Sequence, residues 1–214
     1  MSDHDHPQKA HFSGLFHRAS DTYDTVGVDF FAPLAAALVA RADLAPGDRV
    51  LDLGTGRGAA LHAAAEAVGP SGEVHGVDLA PGMVARTSAD VADLPHVSVT
   101  LGDADHPPAR DGGWDAAVAA FVLFFLPDPV GGATRIRGVL RPGGRFVLST
   151  FDAPDLRWKV VEAAVSPFWP PTDEPAHPAT KSHFSSTAAV EELLAEAGFV
   201  EVSTELVEHV NVYR

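Results

Sequence analysis

Short apolar runs alternate with longer amphipathic ones along most of this chain. Residues 49–53 (RVLDL), 73–78 (EVHGVD), 97–103 (VSVTLGD), 114–121 (WDAAVAAF) and 145–151 (RFVLSTF) read as buried strands. Between them, helical spacing covers 59–68, closed by GPSG, then a stretch from Pro81 to about Asp93, then a helix around 131–140 that ends at RPGG. Pro81 suits a first helical turn, where its missing N–H costs nothing. Ahead of the first strand, residues 28–42 give an amphipathic helix with Pro33 in its first turn. Residues 1–20 are polar and His-rich, expected to fray at the start and to be helical towards His17. Near the end, 187–197 predicts a helix closed by Gly198, and 199–207 (FVEVSTELV) a sixth strand. Strands of this length separated by helices argue an α/β fold, a doubly wound, mostly parallel Rossmann-like sheet.

Composition removes several function classes. The chain has 214 residues, enough for one α/β domain with a sizeable core. Its formal charge of -14 repels phosphate backbones and anionic membrane surfaces, so neither nucleic acid nor membrane is an expected partner. There is no cysteine, which removes disulfide and thiolate chemistry and fits a cytoplasmic protein. The longest apolar run, 116–126, is too short to span a bilayer, and the first residues lack the apolar core of a secretory signal.

The chemistry gathers at strand ends. VLDLGTGRG (50–58) is a strand followed by a glycine-rich turn that opens a helix, the place where open α/β sheets bind ligands. The turn can be forced onto a dinucleotide pattern, with Ala59 as third small residue, but Asp52 opposes that reading. At about 4 Å and an effective dielectric of 20, a carboxylate and a pyrophosphate charge interact by about 4 kcal/mol, here repulsively. A cationic ligand without phosphate is favoured instead, and S-adenosylmethionine, with a sulfonium and an ammonium, fits. Asp78, twenty residues past Gly58, ends the second strand and can accept from ribose hydroxyls. Asp103 ends the third and can accept from an adenine amino group.

In motif order and spacing, VLDLGTGRG, VHGVDLAPGM, TLGDADHPP, WDAAVAAFVLFFLPDP and LRPGGRFVLST resemble the class I S-adenosylmethionine-dependent methyltransferases, in their small ubiquinone/menaquinone-biosynthesis-like branch. The resemblance covers roughly residues 11–207. It implies that Asp52, Gly54, Gly56 and Gly58 hold the methionine portion, that Asp78 takes the ribose, and that Leu79 and Met83 flank the adenine. Asp103 with Ala104 would contact the adenine edge, Phe121 would sit near the methionine moiety, and Tyr23, in FHRASDTYD, would close over the cofactor. Many relatives carry histidines where this chain has Phe124 and Phe125. The two rings read as packing of the following loop; the functional alternative is an aromatic wall facing the methyl donor.

The expected organisation is a helical cap over 1–42 and a cofactor-binding domain over 43–214, with a lid-like insertion at 152–184. That insertion mixes Trp158, Phe168 and Trp169 with prolines, as a lid over a small, partly apolar substrate would. None of the eleven histidines stands out as a catalytic base, and no metal is expected, His4, His6 and His11 lacking a fixed element. Methyl transfer to oxygen, before nitrogen or carbon, is the leading function. A non-transferring binder or cyclase-type catalyst and a nicotinamide-dependent oxidoreductase are the alternatives. The resembled fold ends in a seventh, antiparallel strand, but only NVYR follows HV. The expectation is therefore a domain truncated after Arg214, with an open sheet edge that invites self-association; a sheet of six strands is the alternative.

Overall fold

The computed structural model describes residues 7–24, 30–152, 158–168 and 183–209. Five parallel strands form one sheet: β1 (Arg49–Leu53), β2 (Glu73–Asp78), β3 (Val97–Leu101), β4 (Trp114–Ala120) and β5 (Leu140–Ser149). Their order is β3-β2-β1-β4-β5. The order reverses beside β1, so the crevice beyond the ends of β1 and β4 is where ligands bind in such sheets.

Alternation along β1 sends side chains to both faces, and each face is covered by helices. On one side, Val50 of β1 and Val118 of β4 meet Leu38 of α2 (Phe31–Arg41) and Leu61 and Ala64 of α3 (Ala59–Val68). On the other, Leu51, Leu53 and Ala117 pack with Ile136 of α5 (Pro129–Val139) and Leu193 of α7 (Thr187–Glu196). α4 (Pro81–Asp90) follows β2, and α1 (Pro7–Ala19) lies against α4. The short α6 (Trp158–Val165) falls inside the insertion. Most of that insertion, including Trp169 and His177, lies outside the described residues, and Phe168 is 85% exposed. Among the described residues no helix is long and apolar enough to cross a membrane.

Two expectations need correction. RPGG does not end a helix ahead of a later strand; β5 already begins at Leu140, and the glycines sit in an irregularity where Trp114 pairs Leu140 and Ala116 pairs Arg145. Residues 199–207 do not form a sixth strand. Glu201 takes a left-handed φ of 56° there, which breaks the extended run that Val200 and Val202 suggest. The segment is held by side chains instead: the Phe199 ring lies tilted against Phe146, centroids 5.4 Å apart, and the Thr204 hydroxyl donates to Glu191 at 2.5 Å.

Candidate active site

The glycine turn is wound tightly. Gly54, Gly56 and Gly58 have φ of 63°, 52° and 83°, conformations that side chains resist. At Gly54 a Cβ would also stand 2.6 Å from Val122 Cγ2. The turn is fastened on three sides. The Thr55 N–H donates to Val77 O at 3.0 Å, the Gly56 N–H to Asp78 Oδ2 at 2.8 Å, and the Thr87 hydroxyl to Gly56 O at 2.7 Å.

Next to it opens a cavity of about 500 Å³. Asp52, Gly54, Gly56, Asp78 and Asp103 are on its wall, as are Leu79, Met83, Ala104, Phe121 and Tyr23. Gly58 is not; it turns the chain into α3, its N–H donating to Thr55 O at 2.8 Å. Among the described histidines, His62 reaches the wall. His75 packs on Trp114, with ring centroids 6.0 Å apart, and bonds Ser98 and Thr100.

The three carboxylates differ in environment. Asp52 is buried and accepts from the Thr55 hydroxyl at 2.6 Å. Burial pushes its carboxyl up to about 7, against the pull of the Thr55 hydrogen bond, with Asp78 adding a like charge. Asp78 accepts from Gly56 and Ala80 N–H, one on each oxygen, both at 2.8 Å. Burial raises its carboxyl too, despite those two bonds. Each oxygen keeps capacity for a second donor. Asp103 accepts the Asp105 N–H on Oδ1 at 2.9 Å and the Lys9 ammonium on Oδ2 at 2.7 Å.

Lys9 was not legible as a site residue. It lies in a polar N-terminal stretch, yet it is 6% exposed and also bonds Asp105 at 2.8 Å. Asp105 in turn takes Arg135, on both its carboxylate and its carbonyl. Ligand atoms of Asp103, Asp105 and His106 lie within 4.8 Å of one another, but the cation against both carboxylates is this lysine. The aromatic wall was half-legible. Phe125 does reach the cavity, and it meets Phe12 and Phe16 of α1 at 4.7 and 5.6 Å. Phe124 faces the core side, against Phe184 at 6.2 Å. Phe121, just past β4, has a left-handed φ of 59° and stacks on Phe151 at 4.6 Å. A strained non-glycine backbone of this kind is a feature of functional sites.

Residues 50–144 match the family model of a methyltransferase domain. Over 178 residues the chain is 40% identical to the aklanonic acid methyltransferase DauC of Streptomyces sp. (strain C5), covering 81% of this chain and 76% of that one. Over 201 residues it is 39% identical to the nocamycin O-methyltransferase of Saccharothrix syringae, with coverage of 88% and 72%. The chain belongs to the class I S-adenosylmethionine-dependent methyltransferases. Its fold matches the crystal structure of such an enzyme from Aquifex aeolicus, with a TM-score of 0.61 over 87% of each chain at 21% identity.

Methyltransferase chemistry on small molecules follows, with S-adenosylmethionine as donor. The cavity suits that donor. The Asp52 and Asp78 carboxylates, when ionised, favour a cation and oppose a phosphate, and Leu79 and Met83 add apolar surface for a base. The readings as a nicotinamide-dependent oxidoreductase or a non-transferring binder give way to this one.

Proposed function

We propose that this methyltransferase acts on an oxygen of a small, partly apolar acceptor, ahead of nitrogen or carbon. The observation that carries the reading is the ring-lined wall of the cavity: Phe12 and Phe16 from α1, Phe31 from α2, and Phe121 and Phe125 from the end of β4. Such walls bind flat apolar bodies and leave orientation to a few polar groups. The names of two relatives, one for a named acid and one for O-methylation, support the same class of acceptor.

In this reading Asp52, Gly54 and Gly56 hold the methionine portion, with Gly58 shaping the turn, and Asp78 accepts from the ribose. Leu79 and Met83 flank the adenine, Asp103 and Ala104 meet its edge, Phe121 sits near the methionine moiety, and Tyr23 closes over the cofactor. When bound, the donor supplies an electrophilic methyl on a sulfonium. The chain contributes alignment and exclusion of water, which can supply most of the acceleration when the acceptor oxygen is already anionic. The cap over 1–42 and the lid over 152–184 belong to the same reading, as does association of copies through an open sheet edge.

The test is a panel of hydroxylated aromatic acids incubated with enzyme and isotope-labelled S-adenosylmethionine. The expected products are methyl ethers or esters, with stoichiometric S-adenosylhomocysteine. Products methylated solely on nitrogen or carbon would overturn the assignment to oxygen.

A further inference from the structure

A lysine on a polar surface helix loses nothing by staying in water, so Lys9 in the wall of the cofactor cavity requires a reason. Its ammonium reaches Asp103 at 2.7 Å and Asp105 at 2.8 Å, and its side chain is 7% exposed. Desolvation pulls its proton affinity down, but the hydrogen bonds and charges of both carboxylates outweigh that and leave it raised. Arg135 from α5 completes the group, so two cations stand against two carboxylates. Asp105 is the buried structural member, 4% exposed, whereas Asp103 is on the cavity wall. Asp103 is thus held from two directions: Oδ1 by the Asp105 N–H at 2.9 Å and Oδ2 by Lys9. A carboxylate with about four acceptor sites keeps capacity for one more donor. Everything that fixes it comes from the body of the domain except Lys9, which comes from α1. The same helix contributes Phe12, Ser13 and Phe16 to the cavity, and the Ser13 hydroxyl donates to Leu79 O at 2.8 Å.

We propose that Lys9 is a positioning residue for the cofactor's base: it fixes the Asp103 carboxylate and offsets its repulsion with Asp105, so that docking of α1 and recognition of the adenine 6-amino group are one event. The inference rests on the reading that puts Asp103 at the adenine edge.

The test compares S-adenosylhomocysteine with its analogue carrying hydrogen in place of the 6-amino group, by calorimetry. Wild type is expected to prefer the amino ligand by about tenfold or more, the yield of one charge-assisted hydrogen bond. In Lys9→Met and Lys9→Gln the preference should fall to within about twofold of none, and Lys9→Arg should retain most of it. Equal weakening of both ligands in Lys9→Met, with the preference intact, would make Lys9 a fastener of the helix and overturn the proposal. Absence of any preference in wild type would instead remove Asp103 from the base, a separate failure. A second measurement needs no variant. Coupling is reciprocal, so at saturation the amino ligand must protect the amides of residues 7–19 from hydrogen exchange more than the analogue does. Equal protection would overturn the coupling.

Discussion

The Asp78 carboxylate at the end of β2 accepts the Gly56 N–H at 2.8 Å, so the group assigned to the ribose also fastens the glycine turn. One side chain therefore serves the two motifs that flank β2. Its other oxygen accepts the Ala80 N–H ahead of α4, which ties the start of that helix to the same point.

Replacing it should consequently act twice. Asp78→Ala is expected to weaken S-adenosylhomocysteine binding about tenfold or more, at about 1.5–3 kcal/mol per charge-assisted bond lost. It should also lower stability by about 1–3 kcal/mol, because two N–H groups lose their acceptor. Asp78→Asn keeps one acceptor and should fall between. Calorimetry and thermal unfolding read the two effects separately; unchanged affinity in a folded variant would remove Asp78 from the site.

Asp52 gives the protein a pH dependence of definite sign. Burial raises its carboxyl to about 7, from about 3.9 in an unfolded chain. Between those values the native state holds the extra proton. Stability from this group is complete below about pH 4 and declines as pH rises through about 7. A cationic cofactor favours the ionised form, so binding should release a proton below pH 7. Affinity for S-adenosylmethionine is expected to rise about tenfold from pH 6 to pH 8, the span over which a group near 7 ionises. Asp52→Asn should flatten most of that slope. Calorimetry in two buffers of different ionisation heat counts the protons; none released at pH 6 would refute the linkage.

The parts of the molecule that were legible in the sequence are those fixed by local pattern. β1, α3 and β2 fall on residues 49–53, 59–68 and 73–78 as read, because alternation, glycine stops and helical spacing each act within a few residues. The carboxylates at strand ends were legible for the same reason: topology alone sends the ends of parallel strands to one edge. Lys9 was not, since its partners lie 94 and 96 residues away and nothing in PQKAHF marks a buried charge. The sixth strand failed in the opposite way. Its alternation is real, but one left-handed residue, Glu201, redirects the chain, and β-branched residues alone do not create a pairing.

Gly54 offers a test of how the turn is built. A Cβ there would meet Val122 Cγ2 at 2.6 Å and Cγ1 at 3.0 Å, at a φ of 63°. Gly54→Ala should cost about 1–3 kcal/mol from overpacking and about 1–2 from the backbone. Val122→Ala in the same chain should recover the overpacking share. Gly56→Ala, which meets only Gly54 O at 3.9 Å, should pay the backbone share alone. Thermal midpoints of the four proteins decide this; equal losses for Gly54→Ala and Gly56→Ala would remove the steric argument.

Phe125 follows β4, and its ring lies edge-on to Phe12 and Phe16. Both partners belong to α1, so the ring joins the turn after β4 to the helix that covers the cavity. Aromatic pairs of this geometry contribute about 0.5–1.5 kcal/mol each beyond the area they bury. Phe125→Ala should therefore loosen α1 while Lys9 still holds its first turn. The expected result is faster hydrogen exchange in α1 towards Phe16, with less change around Lys9, and a weaker KM for a ring-bearing acceptor. Phe125→His should keep the edge-on packing and change exchange little. If the ring's role is wall rather than chemistry, that variant should also keep kcat within about threefold, a barrier change below about 1 kcal/mol. A gain or loss in kcat far beyond that, with α1 protected as in wild type, would mean that position 125 acts on the reacting atoms themselves.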